Sequence, residues 1–211
     1  NPLMVDPQAT LVDGAPRYFS HPNYANSPLP EQTTAPGADI TVGNALDDRA
    51  YATDESTSVF AMIPQDLPDG FLTGFTVRNQ AAQGSSSSPS AGKTFHAYVL
   101  RPTATAGEYS VLFDSGLLTM PALGDPAVSE NASFPVSNLA VQAGDRIAFH
   151  GNGVPLDIGT GTDAVYHPVV QGPLQDTTIA LGAAPYPTLD QARTYSFAAT
   201  LVGPDEVTTT G

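Results

Sequence analysis

Residues 94–100 read Thr-Phe-His-Ala-Tyr-Val-Leu, and this stretch indicates the fold more clearly than any other. Phe95, Ala97 and Val99 occupy alternate positions, and successive side chains of a β-strand point to opposite faces of its sheet. The three apolar side chains therefore share one face, as in a strand that covers a core. Thr, Tyr, Phe and Val are enriched in strands, so composition and spacing give the same assignment.

Similar short apolar runs recur along the chain between turn residues. They are Ile40–Val42, Ser58–Ile63, Phe71–Val77, Tyr109–Phe113, Ser133–Val136, Arg146–Phe149, Ala164–Val170, Thr177–Leu181 and Thr194–Val202. Short strands at this spacing, separated by Gly, Pro and Asp, indicate a β-sandwich or barrel. We expect an all-β fold, an antiparallel two-sheet sandwich that is jelly-roll-like and has about ten or more strands.

The final run, Thr194–Val202, is expected to form a long central strand. Four of its side chains would share one face: Tyr195, Phe197, Ala199 and Leu201. The apolar Ala198 and Val202 on the other face leave open which face is buried. Elsewhere, Leu46–Glu55 is compatible with a short helix and Leu189–Arg193 with one helical turn.

The composition favours a protein that acts outside the cell. The chain has 211 residues and no cysteine, and its charged fraction of 13% is about half the usual share. Its 21 acidic and 7 basic side chains give a net charge of −14, which repels nucleic acid and anionic membrane surfaces but favours divalent cations. Adaptation to high salt is an alternative explanation of the acidity.

The length of the apolar runs and the residues that open the chain bear on the location of the protein. No run approaches the roughly 18–20 apolar residues of a membrane span, so we expect no membrane insertion. No charged and then apolar signal peptide opens the chain. The opening Asn1-Pro2, without an initiator Met, leads us to expect a processed, mature, extracellular or cell-surface protein.

Residues 1–37 are rich in proline and lack any period, which predicts an extended arm before a single sandwich domain at residues 38–211. Proline excludes a helix there and suits a central strand poorly. The arm also carries large apolar side chains such as Leu11, Tyr18 and Phe19, which call for a groove. Two placements stay open, because the arm can pack on its own domain or on a neighbouring copy.

The best candidate site is the loop Asp157–Asp163, which reads Asp-Ile-Gly-Thr-Gly-Thr-Asp. Calcium takes six to eight oxygen ligands in flexible geometry, and two carboxylates around a Gly-rich loop can supply them. The predicted calcium ligands are Asp157, Gly159, Gly161 and Asp163. Part of a calcium-binding nonapeptide repeat also fits here, although that repeat needs stacked copies. The alternative is a hairpin loop that uses Gly and Asp for its turn.

Two other groups of side chains are weaker candidates. An acidic patch near Asn44 consists of Asp47, Asp48, Asp54 and Glu55. It is interpreted as a site for a cation or a sugar, or as a solvated loop. The four histidines, His21, His96, His150 and His167, lack the spacing of a metal motif. A site shared by His150, His167, Asp157 and Asp163 is geometrically feasible if the loop folds back, but ordinary polar strand ends are the better explanation of these residues.

Three segments carry a family resemblance: Ala97–Thr103, Tyr109–Gly116 and Val141–Phe149. Their strand and turn patterns resemble secreted bacterial surface proteins with jelly-roll-like sandwiches, of the kind exported with a PEP-CTERM sorting segment. The resemblance covers roughly residues 55–202 and contains no catalytic motif. It implies an extracellular β-sandwich and transfers no functional residue.

Three functions follow as hypotheses. The first is a non-enzymatic extracellular structural or adhesive protein that assembles with copies of itself, as the subunit of a surface fibre or layer. The second is a carbohydrate-binding module that stacks sugars on Tyr51, Tyr166 or Tyr186, since Trp is absent. The third is a polysaccharide-acting hydrolase or lyase. The sequence contains no G-x-S-x-G motif, and no catalytic residue can be named for this function.

Overall fold

The computed structural model describes residues 31–35, 37–54, 59–82, 88–168, 173–204 and 206–210. Contacts divide the chain into two units, one formed by residues 36–204 and the other by residues 1–35 with 205–211. Residues 1–30 and 36 of the predicted arm lie outside the described residues, so the arm and its placement stay predictions.

The described residues form strands and loops and contain no helix. The strands are β1 (Glu31–Ala35), β2 (Asp39–Gly43), β3 (Val59–Asp66), β4 (Gly70–Asn79), β5 (Thr94–Pro102), β6 (Glu108–Asp114), β7 (Leu118–Thr119), β8 (Glu130–Val141), β9 (Arg146–Gly151), β10 (Leu156–Ile158), β11 (Ala164–Tyr166), β12 (Thr178–Ala180), β13 (Arg193–Tyr195), β14 (Phe197–Val202) and β15 (Glu206–Thr210).

Two antiparallel sheets contain most strands of the larger unit. The seven-stranded sheet has the order β11-β3-β9-β5-β6-β12, with β7 paired to β5. The four-stranded sheet has the order β2-β14-β4-β8, and β10 pairs with β13 as a separate ribbon. In the smaller unit, β1 pairs antiparallel with β15. The prediction of an all-β antiparallel sandwich is confirmed.

The main core lies between the two sheets. Phe197 of β14 stacks on Phe75 of β4, with ring centroids 5.6 Å apart, and meets Phe149 of β9 at 5.3 Å. These contacts join the four-stranded sheet to the seven-stranded one. The same core contains Phe95, Ala97 and Val99, so the face predicted for this stretch is confirmed.

The opposite face of the seven-stranded sheet, called the outer face below, carries a second core. Tyr98 of β5 stacks on Phe60 of β3, with ring centroids 5.4 Å apart. Tyr186, from the segment after β12, packs edge-on against Phe60 at 5.5 Å. The seven-stranded sheet is therefore buried on both sides, and β5 has apolar partners on each.

The predicted strand at Thr194–Val202 is interrupted at Ser196. The Ser196 backbone N–H donates to the carbonyl of Pro155, and its hydroxyl donates to the carbonyl of Asp47 at 2.6 Å. β13 therefore pairs with β10, whereas β14 lies between β2 and β4. The predicted shared face is buried as a whole: Tyr195, Phe197, Ala199 and Leu201.

Both short helices suggested by the sequence are wrong over the described residues. Residues 46–54 form an irregular segment, and backbone groups within it bond to residues far along the chain. The N–H of Arg49 donates to the side-chain carbonyl of Gln80, and Tyr51 forms a bridge with Leu156. Residues 189–193 hold a bend and the first residue of β13. Glu55 lies outside the described residues.

We expect Phe197→Ala to lower the free energy of unfolding by about 3–5 kcal/mol, the usual cost of removing a buried ring. Phe197 is 0% exposed and contacts rings from both sheets. Phe71→Ala is the control, because Phe71 is 45% exposed. Denaturant unfolding measures both variants, and a loss below about 1 kcal/mol for Phe197→Ala would contradict the inter-sheet core.

Candidate functional site

The loop predicted to bind calcium connects β10 to β11, and the carboxylate of Asp163 is buried at its end. Asp163 accepts hydrogen bonds from Asn44 Nδ2 at 2.8 and 3.0 Å and from the Tyr195 backbone N–H at 2.7 Å. Burial raises the pKa of Asp163, while the bonds from Asn44 and Tyr195 oppose that rise. This carboxylate is held by protein donors on both oxygens.

Asp157, at the other end of the loop, also has two partners. Its Oδ1 accepts the N–H of Ala50 at 2.9 Å, and its Oδ2 pairs with Arg49 Nη1 at 3.2 Å. The same guanidinium donates to the Ser196 hydroxyl at 2.8 Å. Arg49 thus fastens the irregular segment before β3 to the end of the sandwich.

The two glycines of the loop differ in their surroundings. Gly159 and Gly161 have φ of 85° and 101°, in the region that favours glycine. A Cβ at Gly161 would lie 2.5 Å from the carbonyl oxygen of Arg193, whereas one at Gly159 would meet nothing within 4 Å. Gly161 lets the loop approach β13 closely. The calcium ligation predicted for this loop stays a prediction.

The acidic patch does not form one cluster over the described residues. Asp48 accepts hydrogen bonds from Arg78 Nε at 2.8 Å and from the Ser129 hydroxyl at 3.1 Å. Asp54 pairs with Arg193, which also donates to the Tyr195 hydroxyl at 2.8 Å. These carboxylates therefore serve separate parts of the fold. Glu55 of the predicted patch lies outside the described residues.

The outer face of the seven-stranded sheet brings together a polar group that the sequence did not reveal. His96 of β5 and His150 of β9 are partners in the antiparallel register. Asp114 of β6 lies 2.8 Å from His96 Nδ1, and its oxygens also accept the N–H groups of Gly116 and Leu174. The carboxylate, with its side chain 3% exposed, is fixed in place and orients the imidazole of His96.

His150 and Tyr98 complete this group. His150 is 7% exposed, and its Nε2 has no hydrogen-bond partner in the structure; the same holds for the buried hydroxyl of Tyr98. Burial lowers the pKa of His150 to about 4, with His96 adding to the shift and Asp114 opposing it. Burial raises the pKa of Tyr98. An unpaired buried polar group costs about 1–3 kcal/mol, so this arrangement calls for an explanation.

The shared site suggested for His150, His167, Asp157 and Asp163 is not assembled. Over the described ranges, no group of three or more His, Asp or Glu side chains is placed to hold one metal ion. His167 directly follows β11, and its backbone N–H donates to the carbonyl of Pro187. His21 lies outside the described residues.

Comparison with known proteins identifies no relative. No protein-family model, no curated protein and no solved structure matches the chain. In the part of the chain that the structure describes, no helix has the length and apolar character needed to cross a bilayer. The resemblance to exported surface proteins therefore stays a prediction.

Gly161→Ala should destabilise the protein more than Gly159→Ala. A left-handed conformation costs a non-glycine residue about 1–2 kcal/mol, and both variants bear that cost. Only Gly161→Ala adds a clash with the Arg193 carbonyl. We expect the free energies of unfolding of the two variants, measured with denaturant, to differ by more than about 1 kcal/mol. Equal losses would show that the loop does not approach β13 as described.

The low pKa of His150 predicts a specific acid sensitivity. The folded protein holds this imidazole at a pKa of about 4 against an ordinary value of 6.5, so the unfolded chain binds the proton more readily. The contribution of His150 to the free energy of unfolding is therefore fully present above about pH 6.5 and is lost as the pH falls toward 4. The total loss is about 3 kcal/mol at 1.36 kcal/mol per pKa unit.

A variant isolates this contribution from that of the many carboxyl groups. His150→Gln should reduce the fall in unfolding free energy between pH 7 and pH 4.5 relative to that of wild type. Urea unfolding at a series of pH values measures both. If His150→Gln and wild type lose stability in parallel, the imidazole is not held neutral by burial.

Proposed function

We propose that the protein is a non-enzymatic structural or adhesive component of the cell exterior that assembles with copies of itself. One observation carries the proposal, one of the two edges of the four-stranded sheet. That edge is β8, which has 12 residues and pairs with β4 and with no other strand of the described residues. The free side of such a strand presents backbone N–H and C=O groups that can pair with another chain.

The side chains of β8 suit strand addition over its first half. Ala132 and Phe134 turn toward the core, while Asn131 and Ser133 are exposed. Edge strands are usually protected by charge, proline or a bulge. β8 has Pro135 and an irregular register before Leu139, but Glu130 is its only charged residue. The uncharged segment Asn131–Phe134, which precedes Pro135, is therefore the least protected part of the edge.

The charge of the chain sets the conditions under which copies would associate. A net charge of −14 opposes self-association through repulsion, and salt or bound cations weaken that repulsion. Calcium would thus favour assembly either at the predicted Asp157–Asp163 loop or by screening. The extracellular location rests on the absence of cysteine, the low charged fraction and the family resemblance.

Carbohydrate binding is a second candidate, and the exposure of Tyr51 favours it. Of the three tyrosines proposed as sugar platforms, Tyr51 is 45% exposed, Tyr166 is partly buried and Tyr186 is 3% exposed in the outer core. Ile158, 40% exposed, lies two residues beyond the bridge partner of Tyr51. A ring with one free face can stack on a sugar. Retention of wild type, but not of Tyr51→Ala, on a polysaccharide would support this function.

Sedimentation velocity tests the assembly proposal. We expect wild type to form dimers or larger species as concentration and salt rise, and more so with calcium than with a chelator. Ser133→Glu should weaken association at least about tenfold, because like charges would meet where two β8 edges pair. Ala106→Glu adds the same charge in the exposed turn between β5 and β6 and should behave as wild type.

Two results would overturn the proposal. The first is a wild type that stays monomeric at all concentrations and salt conditions. The second is an equal effect of Ser133→Glu and Ala106→Glu, which would show that total charge rather than the β8 edge governs association. Circular dichroism of both variants confirms that each is folded before the comparison is made.

A further inference from the structure

The pairing of His96 with His150 places two imidazoles on one face of adjacent strands. Residues directly opposite in an antiparallel pair have Cβ atoms about 4.5–5.5 Å apart and point to the same side. The side is the outer face, because Tyr98, which stacks on His96 at 5.9 Å, belongs to the outer core. Phe95 and Phe149, each adjacent in sequence to one of the histidines, point to the inner core.

Asp114 prepares His96 for a ligand at its other nitrogen. The carboxylate engages Nδ1 at 2.8 Å and is itself fixed by two backbone N–H groups. A carboxylate on one imidazole nitrogen is the usual arrangement behind a metal-binding histidine, since it sets the tautomer and the ring orientation. Because Asp114 engages Nδ1, Nε2 is the nitrogen of His96 that remains for a ligand, and the His96 side chain is 20% exposed.

His150 offers a second nitrogen that the protein leaves unused. Its Nε2 is buried and has no hydrogen-bond partner in the structure. A buried imidazole nitrogen without a hydrogen-bond partner is unfavourable in the free protein, and a cation bound through the lone pair of that nitrogen removes the penalty. The hydroxyl of Tyr98, also buried and unpaired, lies on the same face.

We propose that His96 and His150 bind a divalent first-row transition-metal cation, with Asp114 as the positioning residue of His96. Imidazole nitrogens suit nickel, copper and zinc, whereas calcium prefers oxygen ligands. Two imidazoles make this a site of two protein ligands, completed by water or by the Tyr98 hydroxyl. It is separate from the Asp157–Asp163 loop and does not depend on the assembly proposal.

Calorimetric titration of metal-free protein with NiCl₂, in excess calcium to occupy the acidic surface, tests the site. We expect saturable binding of one ion by wild type and at least about tenfold weaker binding by His96→Gln and by His150→Gln. Asp114→Asn should weaken binding about 10–100-fold, the usual effect of removing such a carboxylate. His167→Gln is the matched control and should bind as wild type does.

A spectroscopic readout keeps the test decisive if His150→Gln fails to fold. Electron paramagnetic resonance of the Cu²⁺-loaded protein should show nitrogen coupling from two imidazoles in wild type and from one in His96→Gln, whose residue is partly exposed. Absence of saturable binding, equal binding by wild type and His96→Gln, or a copper spectrum with oxygen ligands alone would each overturn the proposal.

Discussion

Burial of both faces of the seven-stranded sheet is the constraint on which the rest of the structure depends. The sandwich covers the inner face, but the outer face carries Phe60, Tyr98 and Leu100 and needs its own cover. The chain supplies that cover from the segment around β12, through Leu174 and Tyr186. The backbone bond from Leu174 to Asp114 ties this cover to β6. Residues after β11 cover the outer face and supply the N–H of Leu174 to Asp114, which in turn contacts His96.

The scarce cations of the chain are used to hold the fold. Every arginine among the described residues pairs with an aspartate: Arg49 with Asp157, Arg78 with Asp48, Arg101 with Asp145, Arg146 with Asp66 and Arg193 with Asp54. Arg101 meets the fully buried Asp145 through two bonds, at 2.8 and 2.7 Å. Removing one partner of such a pair leaves an uncompensated charge.

The sequence predicts what depends on period and turn chemistry, and it misses what depends on register. Alternation located most strands and the inner face of residues 95–99, since a buried face repeats every second residue. It could not find the break at Ser196, because that break follows from bonds to Pro155 and Asp47 far along the chain. The two histidines are 54 positions apart, so only the pairing of β5 with β9 brings them together.

The distribution of charge along β8 determines where copies of an acidic sandwich would associate. Charge repulsion acts over roughly 8 Å at physiological ionic strength, so it discourages contact wherever acids are dense. Between residues 131 and 141, β8 carries no charged side chain, while Pro135 and the irregular register limit pairing toward its C-terminal half. Association through β8 would then be confined to the short uncharged stretch Asn131–Phe134. A short pairing segment on a repulsive body would give weak, salt-dependent contacts, as the proposed self-assembly requires.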